Sequence, residues 1–200
     1  MRPLPLDQVR SVLVVRTDHI GDLILSTPFL RSLRHELPQA RITALLSPYT
    51  REVLEGSPLV DQVLVYDRER REEGIDLLRR LRDGGLDLAV SLAPRSRSYR
   101  LVWRSGARFR VGYVYASRPL ARLASRAWLT HRMVFHVEED LKAGRPVAHE
   151  VDQLGDLAHA MGLRYEDRRL ALDVPEEDLA FGRSLVEGWS GPRAAVHLQR

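Results

Sequence analysis

The sequence contains no cysteine, which excludes disulfides and thiolate chemistry and fits a reducing compartment, so a cytoplasmic location is expected. Lysine is almost missing too: Lys142 stands alone among the 31 lysines and arginines. Long apolar runs are also lacking. Stretches such as 12–15 and 23–25 fall far below the roughly 20 residues that cross a bilayer, so any membrane contact is expected to be peripheral. Met1 to Arg10 holds three charges and two prolines but no apolar stretch of signal-peptide kind, and secretion by that route is not expected. No fixed-period repeat and no low-complexity tract occurs. The seven histidines have no metal-ligand spacing, and His149-Glu150 lacks the second histidine of a zinc-binding HExxH helix, so no metal is expected.

What is present is a globular composition, 44% hydrophobic and 29% charged, which supplies a core and a solvated surface. Its 200 residues suffice for one full domain and a remnant of a second. The net charge of +4 rests almost wholly on arginine, whose planar fork suits carboxylates and phosphates. Anionic partners would explain the surplus, as would an arginine-preferring codon usage.

Strand-length apolar runs alternate with stretches of helical period, the signature of repeated βα units around a mainly parallel sheet. Strands are predicted at 11–15, 41–46, 62–66, 86–92 and 109–113, with helices at 23–37, 49–55 and 68–82 and one containing Leu101, Val102 and Trp103 after a polar turn at 94–98. The pattern weakens between 114 and 145, where 129–137 reads as strand or loop. A helix is predicted within 147–163, with Gly162 suited to its left-handed C-terminus. A strand at 169–174, a helix at 175–188 and a strand at 194–198 follow. The last would be an exposed edge unless it opens a further domain, so truncation is expected.

The informative segment runs from Ser11 through Arg16-Thr-Asp-His-Ile-Gly21-Asp22 to Thr27-Pro28. In an open parallel sheet, ligands sit beyond the C-terminal ends of the strands, where this Gly-Asp loop lies. Gly21 allows a positive φ or a close approach to the backbone, and Asp22 stands at a helix start, where negative charge is favoured and where aspartate is also a common cap. Thr27-Pro28 reads as a second helix start or a kink.

The whole string resembles the N-terminal signature of glycosyltransferase family 9, the heptosyltransferases, in which a strand, a basic residue, Gly-Asp and a later Thr-Pro recur. Residues 38–43, 57–61, 86–92, 110–113 and the helix of 149–162 agree with it as well. The resemblance implies an α/β fold, a Rossmann-like parallel sheet flanked by helices. It would be the N-terminal, acceptor-side domain (1–190) of a two-domain GT-B enzyme, with 191–200 beginning a donor-binding domain. The family usually continues the 194–198 strand with Pro-Gly, whereas Gln199-Arg200 stands here.

The same resemblance makes Asp22 the catalytic base of an inverting transfer. Arg16, Gly21, Arg95, Arg97 and Ser98 become the acceptor-binding residues, Arg16 either pairing with an acceptor anion or holding Asp22. It implies no cofactor beyond a nucleotide-sugar donor acting as substrate, with a lipid-linked or polysaccharide acceptor and no nucleic acid partner. His149 resembles a family position, although capping or packing explains it as well. Two other readings remain: a non-catalytic module binding an anionic glycan or a protein, and another nucleotide-binding Rossmann protein. Against the latter, no G-x-G-x-x-G follows the first strand and no Walker A motif occurs.

Overall fold

The computed structural model describes residues 4–191. Six strands form one parallel sheet: β1 (Ser11–Arg16), β2 (Arg41–Leu46), β3 (Gln62–Val65), β4 (Leu88–Ser91), β5 (Phe109–Tyr115) and β6 (His131–Phe135), in the order β3-β2-β1-β4-β5-β6. The run Val-Leu-Val-Val in β1 is buried on both faces, as a central parallel strand requires. Because side chains alternate, Val12 and Val14 point into one core and Leu13 and Val15 into the other. The first core is closed by Phe29, Leu30 and Leu33 with Leu154, Leu157 and Met161; the second by Leu78, Tyr99, Val102 and Ala121.

The predicted helix of 23–37 is two helices, α1 (Ile20–Leu25) and α2 (Thr27–Glu36). Pro28 cannot donate to the carbonyl of Ile24, and the Thr27 hydroxyl does so instead at 2.7 Å. The Ser26 hydroxyl likewise takes the Asp22 carbonyl at 2.7 Å, while its own N–H bonds Leu23 in a tighter turn. Thr27-Pro28 therefore starts a second helix.

Further helices are α3 (Arg71–Asp83), α4 (Ser96–Arg104), α5 (Pro119–Trp128), α6 (Val137–Lys142), α7 (Glu150–Met161) and α8 (Glu176–Leu185). The segment of 49–55 forms only a 3-10 turn at Arg51–Val53, and the polar turn of 94–98 is already helical from Ser96. Of the ambiguous stretch 129–137, His131–Phe135 is strand β6. Gly162 has a φ of 92° and ends α7, with Leu163 N–H reaching back to the carbonyl of Ala158 at 3.0 Å.

The strand expected at 169–174 is absent, because the segment lies over α2 instead of beside a sheet edge. Ala171 N–H donates to the Thr27 hydroxyl (2.9 Å) and Arg31 to the carbonyl of Arg169 (2.7 Å), so its polar groups are used there. The strand expected at 194–198 lies outside the described residues.

Candidate active site

The strand order reverses between β1 and β4: the chain moves outward from β1 through β2 to β3, then returns to β4 on the other side of β1. The crevice at such a switch point, beyond the C-terminal strand ends, is where open α/β sheets hold ligands. Here it is formed by 17–22 after β1 and 92–98 after β4, joined by Arg68 from the loop after β3.

Arg16 ends β1 and points inward, only 2% exposed. A buried guanidinium needs carboxylates around it. Its Nε lies 3.0 Å from Asp18 Oδ1, and Nη2 lies 3.4 Å from Asp22 Oδ1 and 3.3 Å from Glu150 Oε1. The Arg16 Nε and Asp18 Oδ1 contact is an ion pair without hydrogen-bond alignment, and neither buried atom has a hydrogen-bond partner. The Tyr113 hydroxyl donates to the same Glu150 oxygen at 2.7 Å, and burial followed by the adjacent Glu150 charge pushes that phenol far above its ordinary range. Three elements far apart in sequence, the β1–α1 loop, β5 and the start of α7, are thereby locked around one cation.

Asp22 sits in the first turn of α1 rather than at its cap, which is His19. Its side chain is the most open of the three carboxylates, 35% exposed against 10% for Asp18 and 19% for Glu150. Gly21 takes a helical, negative φ, and a methyl group built on it would meet no atom within 4 Å. Among the described residues, neither a left-handed turn nor a close neighbour requires glycine there. Burial holds the Asp18 carboxyl above the usual carboxylate range, with Arg16 opposing and Asp22 adding to the rise.

Beside this cluster a cleft of about 300 Å³ is lined by Thr17, Asp18, His19, Arg68, Arg95, Arg97 and Ser98. It brings Arg95, Arg97 and Ser98 together, whereas Arg16, Gly21 and Asp22 do not line it. Ser98 is buried on α4, while Arg68, Arg95 and Arg97 are exposed and form no salt bridge among the described residues. Desolvation, then the charges of Arg68, Arg95 and Arg100, lower the Arg97 pKa from its ordinary value. Crowded, unneutralised guanidinium groups of this kind favour an anion between them. His149 caps α7, its Nδ1 accepting from Val151 N–H at 3.3 Å. No group of three His, Cys, Asp or Glu side chains able to hold a metal occurs among the described residues.

Structures of similar architecture are family 9 transferases. A glycosyltransferase of that family from Veillonella parvula superposes with a TM-score of 0.68 at 23% identity, covering 90% of this chain and 51% of that one. This is the fold of half a family 9 glycosyltransferase. The ADP-heptose lipopolysaccharide heptosyltransferase II of E. coli aligns with a TM-score of 0.63 at 23% identity, over 88% of this chain and 50% of that one. E. coli heptosyltransferase WaaC, solved with ADP, gives 0.62 at 17% identity over 80% and 50%. Among curated proteins, a "Putative glycosyltransferase" of Haemophilus influenzae is 25% identical over 104 residues, which is 52% of this chain and 30% of that protein. No family model matches. The chain thus spans about half the length of the family 9 structures, and less of the curated relative.

Sequence reading missed Glu150, Tyr113, Asp18 and Arg68 as parts of this site. Glu150 is 134 residues from Arg16, and only the fold joins them. A signal was available for Asp18, a second carboxylate in the same short loop as Asp22.

Proposed function

We propose that this chain is the acceptor-side half of an inverting, heptosyltransferase-type glycosyltransferase. The donor is a nucleotide-activated, ADP-heptose-like sugar, and the acceptor a lipopolysaccharide-core or related anionic glycan. The observation that carries the reading is the placement of Asp22, held by buried Arg16, at the switch point of a sheet with the family 9 fold.

In this reading the acceptor's anionic groups lie against Arg68, Arg95 and Arg97, and Ser98 lines the same cleft. One acceptor hydroxyl donates to Asp22. As its oxygen bonds to the anomeric carbon from the face opposite the leaving group, the proton passes to the Asp22 carboxylate, and the carbon–oxygen bond to the diphosphate breaks with its electron pair leaving on the nucleotide. Arg16 is a positioning residue here: its three carboxylate contacts fix the loop carrying Asp22. The non-catalytic alternative has no observation in its favour.

The test is transfer from ADP-heptose to heptose-deficient lipopolysaccharide by the protein of the complete reading frame and by the 200-residue chain alone. Activity of the longer protein and none of the shorter is expected. Absence of transfer by the longer protein across ADP-sugar donors would overturn the reading.

A further inference from the structure

Arg16 meets three carboxylates, but not on equal terms. Both of its terminal nitrogens donate to Glu150 Oε1 at 3.3 Å. Toward Asp22 the same Nη2 lies 3.4 Å from Oδ1, in an ion pair without a hydrogen bond. Among the described residues the Asp22 carboxylate accepts no hydrogen bond, although it is the most open of the three. Glu150 is well placed to hold the Arg16 fork. It opens α7, where a helix N-terminus favours a carboxylate, and Leu154, Leu157 and Met161 anchor that helix in the core. The Tyr113 hydroxyl, which burial keeps protonated, donates to the same Oε1 at 2.7 Å and so fixes the oxygen that Arg16 grips.

A general base needs a lone pair within hydrogen-bond reach of the hydroxyl it deprotonates. A guanidinium hydrogen-bonded to that carboxylate would occupy the lone pair and favour the ionised form, which makes a poorer proton acceptor. Arg16 therefore serves a base at Asp22 best when it lies close enough to hold the loop but bonds elsewhere. A second carboxylate that takes the directed hydrogen bonds meets both conditions. We infer that Glu150 is a positioning residue of the transfer reaction, taking the Arg16 fork so that Asp22 stays open to the acceptor hydroxyl. Glu150 acts through Arg16, since its Oε1 is occupied by Arg16 and Tyr113 and it does not line the cleft of Arg68, Arg95 and Arg97. The inference rests on the reading of Asp22 as the base.

The experiment is transfer kinetics of the full-length protein carrying Glu150→Gln, alone and combined with Asp22→Asn, with ADP-heptose and heptose-deficient lipopolysaccharide as substrates. Glutamine keeps the shape of glutamate, and Arg16 retains Asp18 and Asp22, so the melting temperature should not fall. Released from Glu150, the fork should turn to Asp22 and lower kcat by about 10–10²-fold with both KM values unchanged. In the Asp22→Asn background the same substitution should have no further effect. A crystal structure of the variant, which needs no substrate, should bring Arg16 Nη2 to about 2.8 Å from Asp22 Oδ1. Tyr113→Phe, which releases Glu150 Oε1, should give a smaller fall of the same kind and serves where Glu150→Gln does not fold. Undiminished kcat in Glu150→Gln beside an impaired Asp22→Asn would overturn this inference alone, as would an equal loss in the Asp22→Asn background. Normal turnover by Asp22→Asn, or no transfer by the parent protein, would overturn the base reading and this inference together.

Discussion

At the residue scale, Arg16 organises the site, with three carboxylates around its guanidinium. One buried cation with three carboxylates leaves the local balance negative, and the cost falls on the most enclosed of them. Burial raises Asp18's pKa above 3.8 in the folded chain, so the folded state holds that proton more tightly than the unfolded one does. Asp18 therefore weakens folding progressively as pH rises from about 4 through its folded pKa. Replacing it with asparagine should leave stability near that of the parent at the acid end and raise it at neutral pH. Urea denaturation across that range measures it; a variant that loses ground as pH rises would show that Arg16 dominates the site. The sequence exposed Arg16, Gly21 and Asp22 because they lie within one short string. It hid Glu150 and Tyr113, because a salt bridge between β1 and α7 has no local pattern.

Elements were legible where periodicity and punctuation agreed. β2 matches its predicted bounds because its six residues lie between the 38–40 turn and a proline-containing turn, and α7 ends at the glycine that its helical pattern runs into. The α1–α2 break depends on two hydroxyls taking over carbonyls, and the absent strand at 169–174 depends on where the sheet ends; neither has a periodic signature. Packing at α7 gives a sharp test. A methyl group at Gly155 would lie 2.7 Å from the ring of Tyr165, whose hydroxyl is tied to the Val151 carbonyl at 2.8 Å and which is only 5% exposed. Alanine would gain about 1 kcal/mol of helix propensity, but overpacking costs about 1–3 kcal/mol and the ring is held by its hydroxyl. Gly155→Ala should therefore be destabilising by up to about 2 kcal/mol, read as a lower melting temperature. An unchanged or raised melting temperature would mean that Tyr165 yields freely.

For the molecule as a whole, the alternation of strands and helices announced a parallel sheet, whereas the order of its strands had to come from the fold. That order places the candidate site, since it sets the loops after β1 and β4 side by side, with the Gly-Asp pair in the first of them. It also gathers Arg68, Arg95 and Arg97 from two loops into one cleft. In the proposed reaction Asp22 takes the acceptor's proton, and sugar transfer by the full-length protein carrying Asp22→Asn measures that role. Turnover should fall by about 10²–10⁴-fold while melting temperature and donor affinity stay unchanged. Near-normal turnover would remove Asp22 from the chemistry.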